Sequence, residues 1–148
     1  MHRFSHQELK EATGSLFVDE IQVRFQDVDA AGVVFFARVF DYLHGAYEGL
    51  LESAGLPLAQ VLATRAWLAP LRHAEADYLA PLRFGDTVSV HVALAHLEEF
   101  QVVFGYRLLK QDGSLVALGQ TVHAFLEVDT WKKRPVPSEL VSFLDALR

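Results

Sequence analysis

Two carboxylates one residue apart, Asp27 and Asp29, stand in the segment Gln26-Asp27-Val28-Asp29-Ala30-Ala31-Gly32-Val33-Val34-Phe35-Phe36, which breaks the regular patterns on either side of it. A carboxylate so placed can act as a nucleophile or as a general base for water. Asp29 is the stronger candidate, because it comes just before a predicted helix whose first N–H groups lack intrahelical acceptors and carry partial positive charge. An anion there stays ionised. No Ser, Thr, Asn or Asp occupies positions 35–38 to cap that helix, so its donors remain available to an oxygen that gains charge during attack on a carbonyl. The plainer role for Asp29 is an Asx turn onto local backbone. Asp27 reads as a turn or loop acceptor rather than a catalyst, and Gly32 as a source of an awkward backbone angle or a close approach that shapes the loop.

The same stretch is rich in aromatic surface. Phe36, with Phe35 and Phe40 nearby, offers a wall for a flat ligand, although plain core is the simpler role for two of the three. His44 falls one position from the apolar stripe of the helix that follows and is expected to be at least half buried, as a hydrogen-bonded core-edge histidine before a ligand-binding one. His73, Glu75 and Asp77 alternate along one strand face; a solvated polar face explains them better than a metal, and no metal or organic cofactor is expected. His91 and His96, an odd number apart, should point to opposite faces of a strand.

The elements that must position these groups follow from periodicity. Ser5-His6-Gln7-Glu8 has the form of a capping box, opening a short helix that Gly14 would end. Period two from Phe17 to Phe25 predicts a strand. From about Arg38 to Ala54, Phe40, Leu43, Tyr47, Leu50, Leu51 and Ala54 recur at helical spacing opposite Asp41, Glu48 and Glu52, and Gly55 and Pro57 supply the stop. Gly45 and Gly49 inside this helix imply close approach to other backbone. Beyond Leu56 the chain reads as strands at 74–78, 87–94, 100–108 and 115–128, with a hairpin turn at Asp112-Gly113 and a bulge expected at Gly119. One long helix followed by an antiparallel meander is the pattern of an α+β domain whose curved sheet wraps the helix.

Composition narrows the classes further. A chain of 148 residues with 51% hydrophobic and 22% charged residues has the size and usage of one globular domain. It holds no cysteine, which excludes disulfides, thiolate metal sites and cysteine nucleophiles. Thirteen Lys and Arg against 19 Asp and Glu give a net charge of −6, without the basic stripe of a nucleic-acid binder. The one basic run, Lys132-Lys133-Arg134, reads as a solvated turn before Pro135 and Pro137. No apolar run has membrane-spanning length, and the polar first residues lack a signal sequence, so a cytoplasmic protein with no membrane span is expected.

The block Asp27-Val28-Asp29-Ala30-Ala31-Gly32-Val33-Val34-Phe35-Phe36, preceded by Val23-Arg24-Phe25, resembles the signature of the 4-hydroxybenzoyl-CoA thioesterase branch of the hotdog fold. Asp77-Tyr78-Leu79-Ala80-Pro81-Leu82-Arg83-Phe84-Gly85-Asp86 resembles that branch's second block, and the likeness covers about residues 17–137. Ala31 to Val34, Phe36 and His44-Gly45-Ala46-Tyr47-Glu48 look most like the cyanobacterial type of 1,4-dihydroxy-2-naphthoyl-CoA hydrolase. The resemblance implies one hotdog thioesterase domain over residues 1–148 with an N-terminal extension at 1–16, acting on an acyl-CoA without a cofactor. It implies Asp29 as the catalytic carboxylate and the amide of Phe36 as a donor to the thioester oxygen; around them, the residues read as substrate-binding candidates are Gly32, Phe35, Phe40 and His44. It also implies a homodimer or homotetramer, because hotdog domains pair through their sheets.

Two departures stand out. Relatives often carry Tyr or His where this chain has Phe36, which keeps a backbone donor but loses any side-chain acid. Glu98 and Glu99 occupy a stretch where some relatives place a basic cluster for the CoA phosphates, leaving Arg72, Arg83 and Lys132 to Arg134 as substitutes. Two rival functions remain open: a non-catalytic carrier of acyl or aromatic ligands that keeps Asp29 as a cap, and a hotdog hydratase in which His44 would be the partner of Asp29.

Overall fold

The computed structural model describes residues 2–12 and 14–147. A five-stranded antiparallel sheet, order β1-β3-β4-β5-β2, is built from β1 (Phe17–Gln22), β2 (Leu71–Tyr78), β3 (Thr87–Leu97), β4 (Gln101–Lys110) and β5 (Leu115–Ala124). Among the described residues four α-helices accompany it: α1 (His6–Glu11), α2 (Arg38–Ser53), α3 (Leu58–Ala63) and α4 (Ser138–Ala146). This is the hotdog arrangement of an α+β fold, one long helix held against one face of an antiparallel sheet. Among the described residues no helix is long and apolar enough to cross a membrane.

Helix α2 forms where the sequence places it and leans its apolar side on the sheet. Val39, Tyr42, Leu43, Ala46, Tyr47, Leu50 and Leu51 are buried, while Phe40 is only partly so. The stripe is thus turned slightly from the expected one, toward Val39 and Tyr42. Each large apolar side chain so buried contributes roughly 1.5–3 kcal/mol, which outweighs the helix propensity lost at two glycines. The two glycines differ in purpose. A Cβ at Gly49 would stand 2.6 Å from the Phe17 ring of β1, whereas at Gly45 it would meet nothing closer than 3.8 Å. Gly119 admits helix α2 rather than a bulge, since a Cβ there would lie 2.5 Å from Leu43 Cδ1 and the pairing runs through it without a shift.

The opposite face of the sheet is covered by the N-terminal arm. The Ser5 capping box forms as expected: Ser5 Oγ accepts from the Glu8 amide and Glu8 Oε2 accepts from the Ser5 amide. The helix ends at Glu11 with Ala12 as its cap, before Gly14. Phe4 and Leu9 pack over Gly105, and the Gln120 amide group both donates to and accepts from the Phe4 backbone.

Several boundaries differ from the expected ones for local reasons. The first strand stops at Gln22, and Phe25 enters a 3-10 turn at Phe25–Asp27, where its exposed ring meets Phe84 edge-on. The last strand stops at Ala124, because Leu126 leaves β5 to bridge Leu68 and Lys133. A register shift between Leu94 and His96 turns His96 onto the face of His91, since their ladder partners Val103 and Arg107 are four apart on β4; a simple count of residues had put the two histidines on opposite faces. Helices α3 and α4 had no counterpart in the sequence reading.

Candidate active site

Residues 28–34 form a tight hairpin. Val28 and Val34 bridge, the Asp29 amide donates to the Val33 carbonyl at 3.0 Å, and the Gly32 amide donates to the Asp29 carbonyl at 2.9 Å. Gly32 takes φ +77°, the left-handed conformation that a three-residue hairpin loop requires at its last position. Sequence dictates this loop: an aspartate opens the turn, a glycine closes it, and valines on both sides supply the strand character.

Asp29 sits at the mouth of that loop, exposed to solvent. One oxygen, Oδ1, accepts from the Ala31 amide at 2.9 Å, so the Asx turn exists. The other oxygen has no hydrogen-bond partner among the described residues. Asp29 therefore fills its plainer role with half of its carboxylate and leaves the other half open.

Asp27 is engaged through one carboxylate oxygen and through its backbone. Its Oδ2 accepts from the Arg24 amide at 3.0 Å and from the Tyr42 hydroxyl at 2.9 Å, while its backbone carbonyl accepts from the Phe35 amide at 2.9 Å. Burial, and after it the hydrogen bond to the Asp27 carboxylate, pushes the Tyr42 phenol well above its ordinary value. Tyr42 thus stays a donor at every working pH.

The start of helix α2 is less open than the sequence suggests. The amides of Arg38, Val39 and Phe40 donate to the carbonyls of Phe35, Phe36 and Ala37 in a tight first turn, so three of the expected free donors are used. Those of Phe36 and Ala37, one step earlier, have no acceptor among the described residues. Their peptide planes are nevertheless fixed, because the Phe35 carbonyl takes the Arg38 amide and the Phe36 carbonyl takes the Tyr78 hydroxyl at 2.8 Å.

The aromatic candidates divide. The Phe35 and Phe36 rings touch, centroids 4.7 Å apart, and are 45% and 60% exposed, so neither is core. Phe40 is partly buried against the core. His44 departs from expectation: it is exposed, because position 44 falls outside the buried stripe, and its ring lies 5.6 Å from that of Tyr47. No hydrogen bond or ring contact among the described residues joins Asp29 to Phe36, Phe40 or His44.

A cleft of about 300 Å³ opens beside the hairpin, walled by Val33, Val34, Val39, Tyr78, Leu82 and Ala117. A larger one, about 590 Å³, lies along Ala93–Leu97 at the edge of β3 and contains none of the candidate residues. His73, Glu75 and Asp77 are drawn to the arm side of the sheet, with His73 against Arg3 and Glu75, and Asp77 against His6. Of the cations offered for CoA phosphates, Arg83 bridges Val33 at the hairpin, Arg72 turns to Gln101, and Arg134 donates to the carbonyls of Ala66 and Pro135. Tyr42 and Tyr78 were missed as site residues. In the sequence both look like apolar positions of a helix and a strand, and only the fold brings their hydroxyls to the loop.

The thioesterase-like superfamily matches residues 23–144. Among curated proteins, the 1,4-dihydroxy-2-naphthoyl-CoA hydrolase of Rippkaea orientalis is 32% identical over 124 residues, covering 82% of this chain and 90% of that one. Its counterpart from Synechococcus elongatus is 35% identical over 123 residues, with 82% and 90% covered. Among solved structures, a 1,4-dihydroxy-2-naphthoyl-CoA thioesterase from Synechocystis superposes with TM-score 0.83 at 30% identity, over 88% of this chain and 96% of that one. A gentisyl-coenzyme A thioesterase gives TM-score 0.78 at 25% identity, over 86% and 98%.

Proposed function

The chain belongs to the thioesterase-like superfamily, and on that premise we propose that it is an acyl-CoA thioesterase that hydrolyses a hydroxylated aromatic acyl-CoA, with 1,4-dihydroxy-2-naphthoyl-CoA as the first substrate to try. The relatives at 30–35% identity carry that activity in their names, and the gentisyl-CoA enzyme acts on another hydroxylated aromatic acyl group. The observation that carries the reading is a half-open carboxylate at Asp29 on a hairpin that leads, within a few residues, to two unused amides at Phe36 and Ala37.

In this account the thioester carbonyl takes its place at those amides, and Asp29 either attacks the carbonyl carbon or removes a proton from the water that does. The carbonyl oxygen gains negative charge as the tetrahedral species forms, and fixed N–H groups stabilise that charge without reorganising. Collapse expels the CoA thiolate, which takes up a proton. Where water attacked, the acyl group leaves directly as the free acid; where Asp29 attacked, water then hydrolyses the mixed anhydride formed on Asp29 to release the acid and restore the carboxylate. The exposed rings of Phe35 and Phe36 supply a flat surface for an aromatic acyl group. Arg83, beside the hairpin, is the cation best placed to meet CoA, and the working assembly is a homodimer or homotetramer.

The deciding experiment measures thiol release from naphthoyl, benzoyl and short aliphatic CoA esters. Turnover with preference for the aromatic esters is expected. Saturable binding of several esters without turnover would replace the enzyme with a carrier.

A further inference from the structure

We propose that Tyr42 is a positioning residue for this reaction, acting through Asp27 to set where the Asp29 hairpin stands relative to the amides at the start of helix α2. The inference rests on the reading of Asp29 and those amides given above.

Asp27 is the node from which both legs of the hairpin depart. One leg leaves it directly through Val28, and the other returns to it, since the Phe35 amide is bound to the Asp27 carbonyl at 2.9 Å. The end of the first leg is held to the chain leaving β1 by the Arg24 amide at 3.0 Å. Only one of these bonds reaches the long helix: the Tyr42 hydroxyl, from a residue 8% exposed and one turn into α2, donates to the same Asp27 oxygen at 2.9 Å.

Remove that bond and the hairpin keeps its internal ladder, because Val28, Asp29, Gly32, Val33 and Val34 pair among themselves. The second leg also stays paired with Leu82 and Arg83, so what loosens is the Asp27 end of the hairpin, and with it the first leg that carries Asp29, against the helix. Asp29 would then stand at a variable distance from a carbonyl held by the Phe36 and Ala37 amides, and misplacement of a reacting group by an ångström costs rate rather than ground-state affinity. A hydrogen bond to a carboxylate is also among the stronger kinds, and this one is partly shielded from solvent.

Tyr42→Phe deletes one oxygen and keeps the ring in the core. The expected result is a kcat about 10-fold lower with KM within twofold, in a protein that melts cooperatively. In an Asp29→Asn background the same change should cost less than twofold, because there is no longer a carboxylate to position. Asp27→Ala approaches the node from the other side and should reproduce both results, which keeps the test open if Tyr42→Phe does not fold. Unchanged kcat in Tyr42→Phe, or an equal loss in both backgrounds, overturns the proposal. Full activity of Asp29→Asn alone would instead overturn the site on which it rests, so the two failures are distinguishable.

Discussion

The rings of Tyr47 and His123 stack face to face, with centroids 3.9 Å apart and 16° from parallel, where helix α2 crosses strand β5. Each leaves a buried polar atom, Tyr47 Oη and His123 Nδ1, without a hydrogen bond of full geometry among the described residues. His123 Nε2 pairs with Thr121 Oγ1 at 3.0 Å, and Thr121 in turn pairs with the Tyr106 hydroxyl at 2.8 Å. Burial pushes the His123 imidazole down to about 3, with the Ala69 carbonyl opposing and His44 adding to the shift.

That histidine predicts acid sensitivity with a definite sign. Unfolded, the ring titrates near 6.5, so below that pH the unfolded chain takes up a proton that the folded chain refuses. The stabilising effect of a neutral His123 is therefore complete above pH 6.5 and is lost as the pH falls from 6.5 toward 3, at about 1.4 kcal/mol per pH unit. Denaturant unfolding at pH 6.5 and pH 5 should show the wild type losing up to about 2 kcal/mol more than His123→Gln. Parallel losses in the two proteins would remove this histidine from the account.

Phe36 is expected to act through its backbone. Its ring is largely exposed and touches Phe35, so Phe36→Ala should leave kcat within about threefold while raising KM for aromatic esters more than for aliphatic ones. A kcat drop approaching 10²-fold would mean that the ring itself takes part.

Gly32 isolates backbone strain from crowding. A Cβ there meets nothing within 4 Å, yet φ is +77°, so Gly32→Ala should cost about 1–2 kcal/mol through conformation alone. Melting temperature should fall by several degrees. Gly32→Asn should lose less, since Asn tolerates the left-handed region, and Gly32→Val more. Equal losses for all three would show that the hairpin does not depend on this angle.

Much of this architecture was legible from spacing because each element carries its own period. The long helix, the five strands, the Ser5 box and the Asp112-Gly113 turn all announce themselves within ten or so residues. Helices α3 and α4 did not, because six and nine residues hold too few turns to show a period. Asp29 and Gly32 were legible as turn chemistry, and Asp27 as an acceptor. Tyr42 and Tyr78 were not, since the bonds they make, to Asp27 and to the Phe36 carbonyl, span 15 and 42 residues. His44 was misplaced for the opposite reason: one position off a stripe is close in sequence, yet the helix turns it to the solvent.

The most direct test of the account is the turnover of Asp29→Asn on an aromatic acyl-CoA, read as thiol release from a protein shown to fold by its melting transition. The asparagine keeps an oxygen for the Ala31 amide, so the hairpin should survive while the open carboxylate oxygen is lost. A kcat lower by at least about 10²-fold is the predicted result. Near-normal hydrolysis by the folded variant would contradict it and leave Asp29 as a turn residue alone.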